Sequence, residues 1–118
     1  MLQRNLRLRQ KSLYRKVFAQ GKSFSGKYVV IYVANGPSKF GFIASKKVGN
    51  AIARNRAKRL MREVIRLHLP KIKENTQIIC IARSSIKGVS YSQVENSLLQ
   101  SLYRAKLIKS LSNDSVNG

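Results

Sequence analysis

The sequence predicts an α+β domain whose elements run helix, strand, strand, strand, helix, strand, helix. Three observations carry this. Runs rich in β-branched and aromatic residues, such as YVVIYVA at 28–34, are short and bounded by turn residues, which is the signature of strands. The stretches 12–20, 51–68 and 91–108 instead space their apolar residues at helical intervals. A length of 118 residues with 43% hydrophobic content suits one modest core. A single domain over 1–109 is therefore expected, followed by a small, polar and flexible tail over 110–118.

Residues 1–10 are basic and read as irregular. In SLYRKVFAQ (12–20), Leu13, Tyr14, Val17 and Phe18 share one helical face, with Ser12 as N-cap and Gly21 at the C-cap. KSFS (22–25) reads as a short edge strand. Over 28–34, Tyr28, Val30 and Tyr32 point one way and Val29, Ile31 and Val33 the other. Asn35-Gly36-Pro37-Ser38 is a strong turn signal, and KFGFIASK (39–46) returns with Phe40, Phe42 and Ala44 on one side. These two strands are expected to pair as a hairpin.

On a helix of about 100° per residue, Ala53, Ala57, Leu60, Met61, Val64, Leu67 and His68 fall within about 120° of arc. Arg54, Lys58, Arg59, Arg62 and Arg66 occupy about 140° opposite them, with Arg56 at the border. Pro70 ends this helix or comes just after it. TQIICIAR (76–83) reads as a buried strand that holds Cys80 as an inert thiol. Ser90, with Gln93 three residues on, fits a capping box for the last helix, whose apolar line is Val94, Leu98, Leu102 and Ala105.

Charge narrows the function. Lys and Arg number 24 against 4 acidic residues, giving a formal net charge of +20 and a pI near 11.1. A chain this basic repels itself when compact and seeks a polyanion, with nucleic acid the first choice. A membrane surface fits less well, because the basic residues do not oppose a broad apolar face on one isolated helix. No apolar run approaches the ~20 residues of a membrane span. The start, MLQRNLRLRQ, lacks the apolar stretch of a secretory signal, so a cytoplasmic location is expected.

The same count bears on catalysis. The acids are Glu63, Glu74, Glu95 and Asp114, scattered along the chain, and His68 is the only histidine. Two-metal hydrolysis needs clustered carboxylates, and general acid–base work needs a paired group. No catalytic residue and no metal site is expected in the protein itself. His68 falls in the apolar arc and reads as a satisfied, partly buried histidine; Phe40 and Phe42 read as core. The cationic helix face is a different matter. Arg54, Lys58, Arg62 and Arg66 stack at i,i+4, and each like-charge pair destabilises a helix by about 0.2–0.5 kcal/mol. Only Glu63 offers local relief. A face kept at that cost suits phosphate, which the planar guanidinium fork binds bidentately.

The run Lys46-Lys47-Val48-Gly49-Asn50-Ala51-Ile52-Ala53-Arg54-Asn55-Arg56-Ala57-Lys58-Arg59 goes further. It resembles the Lys-Lys-x-Gly-x-Ala-x-x-Arg-Asn-Arg-x-Lys-Arg pattern of the bacterial ribonuclease P protein family. Residues 7–24, the expected hairpin and IICIAR (78–83) resemble that family too. The resemblance implies a two-layer sandwich with a four-stranded sheet, order α-β-β-β-α-β-α, and a left-handed βαβ crossover that breaks the usual right-handed rule. It implies a protein subunit that binds the catalytic ribonuclease P RNA and the 5′ leader of precursor tRNA. That subunit would aid endonucleolytic removal of the leader, one protein per RNA. The RNA would carry catalysis with Mg²⁺, and the protein alone would bind no cofactor.

The resemblance places the catalytic RNA against Arg54, Asn55, Arg56, Lys58, Arg59 and Arg62, with Lys46 and Lys47 nearby; helical spacing adds Arg66. It places the leader against Tyr14, Phe18 and Tyr32. Unpaired bases stack on aromatic faces for ~1–3 kcal/mol per base without demanding sequence. Tyr14 stands where Phe is common in the family, so an extra hydroxyl enters the cleft. The alternative is a non-catalytic RNA-binding protein of ribosomal type, which fits basicity and size equally well; the Lys46–Arg59 run combined with Tyr14 and Phe18 tells against it. A DNA-binding reading lacks helix-turn-helix or zinc spacing.

Overall fold

A computed structural model describes residues 2–111 of the chain. The elements are α1 (Lys11–Gln20), β1 (Lys22–Ser25), β2 (Val29–Asn35), β3 (Lys39–Ile43), α2 (Ala51–His68), β4 (Thr76–Ala82) and α3 (Tyr91–Arg104). The expected element order is thus observed, the short first strand included. Among the described residues no helix is long and apolar enough to cross a membrane.

The strands form one mixed sheet in the order β1-β2-β4-β3. The expected hairpin between 28–34 and 39–46 does not form, because β4 lies between its two arms. Ile31 pairs across to Cys80 in an antiparallel ladder, and Phe42 pairs with the same Cys80 in a parallel one. The reason lies in β4 itself. Its run TQIICIA is apolar on both faces and buried almost throughout, so it belongs in the centre of the sheet. The turn at 35–38 is real, but it bonds to the entrance of β4. The Gly36 N–H donates to the Asn75 carbonyl at 3.2 Å, and the Asn75 N–H donates to Ser38 Oγ at 3.0 Å. Parallel β3 and β4 are joined through α2, as parallel neighbours require.

Strand alternation sends two sets of side chains to two faces. On one face, Ile31, Phe40, Ile78 and Cys80 pack with Met61, Val64 and Ile65 of α2 and Leu98 and Leu102 of α3 to make the main core. On the other, α1 lies over a smaller cluster of Leu8, Val17, Ala34 and Ile79. One short helix does not cover that face, and Val30, Tyr32, Ile43 and Ile81 remain only half-buried. Burial pushes the Cys80 thiol well above its ordinary pKa, so it stays protonated and inert.

Several local expectations change. α1 starts at Lys11 after Gln10, and no side chain caps it, so Ser12 is not the N-cap. Gly21 does end α1, with its N–H on the Val17 carbonyl at 2.7 Å. A β-carbon there would lie 2.5 Å from that oxygen and 2.7 Å from the Val33 carbonyl of β2, so only glycine lets α1 run directly into β1. Apart from a 3-10 turn at Arg4–Leu6, residues 2–10 form no regular element, as expected, but they are anchored to the sheet. Arg7 bridges Phe40 in parallel, the Leu8 N–H donates to the Phe40 carbonyl at 2.8 Å, and Leu2 and Leu8 are buried. The segment covers the outer edge of β3, an edge that would otherwise invite pairing with another chain.

The capping box of α3 is formed by Ser90 and Gln93. That helix ends at Arg104, short of the expected 108. Lys106 adopts φ 61°, its N–H reaches the Tyr103 carbonyl, and the Leu107 N–H reaches the Leu102 carbonyl. This is a Schellman turn with lysine where glycine is usual. It lets Leu107 and Ile108 fold back into the main core. Of the tail expected over 110–118, residues 112–118 lie outside the described residues.

Candidate nucleic-acid interface

The candidate residues lie on the loop before α2, on α2 itself, and on α1 over the open sheet face. Val48 is buried and anchors the loop, while Lys46 and Lys47 project from it, exposed. Gly49 takes φ 146°, and a β-carbon on it would meet Ala53 Cβ at 2.9 Å. Asn50 then caps α2, its Oδ1 accepting the Ala53 N–H at 2.9 Å. The first turn of α2 carries no acidic residue, so the positive end of the helix dipole adds to the two lysines.

α2 buries Ala57, Met61, Val64, Ile65 and His68. Two side chains depart from the expected arc. Ile65, which that arc left out, is fully buried, and Leu67, placed in the core, is 50% exposed. The helix packs against both the sheet and α3, so its buried stripe is turned toward the β3 side. An apolar arc on a helical wheel does not say where two neighbours stand.

This rotation divides the expected single cationic side. Asn55, Arg56 and Arg59 are exposed; Arg54, Lys58 and Arg62 lie half-buried along the border with the sheet. Arg56 donates to the Val89 carbonyl at 3.1 Å, which fixes its direction. Arg54 Nε is buried with no hydrogen-bond partner. The Arg62 guanidinium sits over the Phe42 ring, 5.5 Å from its centroid. Arg66 is held by Glu63, with Nε 3.0 Å from Oε2. The hydrogen bond from Arg66 holds the Glu63 carboxyl below the usual carboxylate range and raises the Arg66 pKa in return.

His68 is satisfied as expected, with Nε2 2.8 Å from Glu95 Oε2. Tyr91 donates to the same carboxylate at 3.3 Å. Burial first, and then the Glu95 charge, push the Tyr91 phenol up to about 12. Among the described residues no three His, Cys, Asp or Glu side chains come together as a metal-holding group. Glu63 and Glu95 are instead engaged by Arg66 and His68, so among the described residues these two carboxylates are not free to hold a Mg²⁺ ion.

On the opposite face of the sheet, Phe18 is 39% exposed and meets the Tyr32 ring edge-on, centroids 4.9 Å apart at 77°. This pair leaves apolar ring surface open above the sheet. Tyr14 lies one turn earlier and is set deeper, over Gly41 of β3. Burial raises the pKa of its phenol, while a backbone hydrogen bond from Phe42 opposes that rise. Tyr14 lines a groove of about 260 Å³ together with Arg7, Arg9, Lys58 and Arg62. Arg7 and Arg9 were not expected at the site. The alternation of Leu6 and Leu8 with Arg7 and Arg9 was the available signal, a strand-like pattern inside a stretch that reads as merely basic.

Comparison with known proteins shows the family and the fold. The family described as Ribonuclease P matches residues 2–106. The ribonuclease P protein component of Alkaliphilus metalliredigens is 39% identical over 110 residues, covering 91% of this chain and 99% of the relative. That of Clostridioides difficile is 43% identical over 95 residues, covering 77% and 83%. The ribonuclease P protein of Staphylococcus aureus superposes with a TM-score of 0.80 at 31% identity, covering 88% of this chain and 98% of that one. That of Thermotoga maritima gives 0.76 at 30% identity, covering 83% and 96%. Similarity of this extent sets aside the ribosomal and DNA-binding alternatives. The chain therefore belongs to the ribonuclease P protein family, partners of the ribonuclease P RNA in the ribonucleoprotein endoribonuclease that matures tRNA 5′ ends.

Proposed function

We propose that the chain binds precursor tRNA by its single-stranded 5′ leader while the cationic loop and helix hold the catalytic RNA. The observation that carries this is the open Phe18–Tyr32 pair on an incompletely covered sheet face, with Tyr14 of the same helix lining a groove beside Lys58 and Arg62. Leader bases stack on Phe18 and Tyr32, and Tyr14 supports the same path from over β3. Stacking is worth ~1–3 kcal/mol per base and tolerates any base, which suits leaders of differing sequence. Lys46, Lys47, Arg54, Asn55, Arg56, Lys58, Arg59 and Arg62 face the folded RNA, where Arg54 Nε finds the acceptor it lacks in the protein. Arg66 contributes less, because Glu63 occupies it.

The protein donates no catalytic group. It screens phosphate repulsion between the RNA and its substrate, and it grips the leader upstream of the cut. Mg²⁺ ions belong with the RNA and supply activation of the attacking water when bound. The assembly has one protein per RNA, works in the cytoplasm and needs no membrane.

The test is cleavage of a precursor tRNA by the RNA subunit at limiting Mg²⁺. The chain is expected to raise substrate affinity, and the double variant Phe18→Ala, Tyr32→Ala to lose about tenfold or more of that gain. No change on adding the chain, or an unimpaired double variant, would sink this reading.

A further inference from the structure

Ile52 is 79% exposed, the most open large apolar side chain among the described residues, with Leu67 next at 50%. It stands in the first turn of α2, on the solvent side. Arg56 and Arg59 follow it at helical spacing and are exposed, and Lys46 and Lys47 project from the preceding loop. Lys87 joins them from the segment before α3. It is exposed, and its Cε lies 3.8 Å from the position a β-carbon on Gly49 would take. The backbone under Ile52 is held in place. Val48 is buried, Asn50 accepts the Ala53 N–H, and Arg56 donates to the Val89 carbonyl.

A single exposed apolar residue is ordinary on a protein surface and needs no partner in general. Ile52 differs in its setting. Its neighbours are cations, so whatever meets them meets Ile52 as well. Helix propensity gives no reason for it either, because a β-branched residue at an open helical position is a poorer choice than alanine, lysine or glutamine. A polyanion seated on Lys46, Lys47, Arg56 and Arg59 covers Ile52. A phosphate or hydroxyl pressed against that side chain would be stripped of water without a partner. A continuous RNA duplex presents phosphates and 2′-hydroxyls over its shallow groove. The apolar surface of RNA lies on base faces, which are open where a nucleotide is unpaired.

We infer that Ile52 is an apolar contact for an unpaired base of the catalytic RNA, set inside the cationic face of α2. The inference rests on the RNA-facing reading of α2 and deepens it. The cations attract the polyanion whatever its local structure. Ile52 selects a place on it where a base is turned out, so the RNA element opposite the start of α2 is a loop or bulge.

The test is binding of the full chain to the RNA subunit over a salt series. Ile52→Ala and Ile52→Gln change no charge and lose no helix propensity, so their melting temperatures should equal or exceed that of the wild type. Their affinity should fall about tenfold at every salt concentration, with the log–log slope unchanged. Ile52→Leu should keep most of the affinity. A changed slope would mean that Ile52 acts by arranging the cations, and full affinity in Ile52→Gln would mean that it touches no base. Either result overturns the inference.

The base is then located in the assembled complex by photocrosslinking from Ile52→p-benzoylphenylalanine. A crosslink to an unpaired nucleotide of the RNA subunit is expected. A crosslink into a continuous stem or to precursor tRNA, or no crosslink to RNA, overturns the contact. Arg59→Ala tests the reading beneath it. If that variant alters neither affinity nor slope, α2 does not face the RNA. If it alters both while Ile52→Gln binds as the wild type does, the base contact alone has failed.

Discussion

Tyr14 lies against Gly41 so closely that a β-carbon on residue 41 would stand 2.5 Å from the tyrosine oxygen and 2.8 Å from its ring. The contact joins α1 to the edge strand of the sheet and sets the height of the aromatic side of the cleft. Gly41→Ala is expected to force that ring away. Overpacking of this kind costs about 1–3 kcal/mol, to be read from urea unfolding. Affinity for a leader-bearing substrate should fall, while binding of the RNA subunit changes far less. Wild-type stability and leader affinity in Gly41→Ala would show that Tyr14 is not set by this contact.

The division of the cations on α2 makes a prediction about salt. If six or more phosphates are neutralised, affinity for the RNA subunit should drop by ~10³–10⁵ between about 50 and 200 mM salt. Arg59 is exposed and unpaired by any carboxylate among the described residues, so Arg59→Ala should reduce the log–log salt slope by about one. Arg66 is occupied by Glu63, so Arg66→Ala should change the slope less. Glu63→Gln releases Arg66 and should steepen the slope and tighten binding. Filter-binding titrations over a salt series decide it, and equal slopes for all three variants would contradict the division.

The seam between α2 and α3 titrates at alkaline pH. The Tyr91 phenol is pushed from its ordinary value of 10.0 to about 12 by burial and by the Glu95 charge. A raised phenol pKa means the folded chain holds that proton more tightly than the unfolded one. The contribution is whole below pH 10 and is lost as the pH climbs toward 12. Thermal melts of the wild type should therefore lose ground across that window, and Tyr91→Phe should flatten this part of the profile. At the acid end, Glu63 is depressed by Arg66, so its share is present above the ordinary carboxylate range and lost as the pH falls through the folded value. An unchanged alkaline limb in Tyr91→Phe would rule out the seam as its origin.

Lys106 closes α3 from the left-handed region at φ 61°. A residue with a β-carbon is strained there by about 1 kcal/mol, and glycine is not. Lys106→Gly should raise unfolding free energy by about 0.5–1 kcal/mol with no loss of the Leu107 and Ile108 contacts. Denaturant unfolding checks the sign; a destabilised variant would mean that the lysine side chain itself contributes at that turn.

The sequence by itself determined which segments become helices and strands, because those choices depend on local periodicity and on capping residues such as Asn50, Ser90 and Gln93. It determined the nucleic-acid character too, since a net charge of +20 needs no fold to be read. The run Lys46–Arg59 carried the family. What only the tertiary structure decided is pairing and rotation. Turn chemistry at 35–38 says that the chain reverses, not that the reversed strands touch, and the apolar run of β4 competed for the centre of the sheet and took it. A helical wheel locates an apolar arc but not the two bodies it meets, so Ile65 went inward and Leu67 outward, and the arginines parted into two sets. The N-terminal arginines came to lie beside Tyr14 because Leu2 and Leu8 found burial beside β3, a gain that exists only once the sheet is present to receive them.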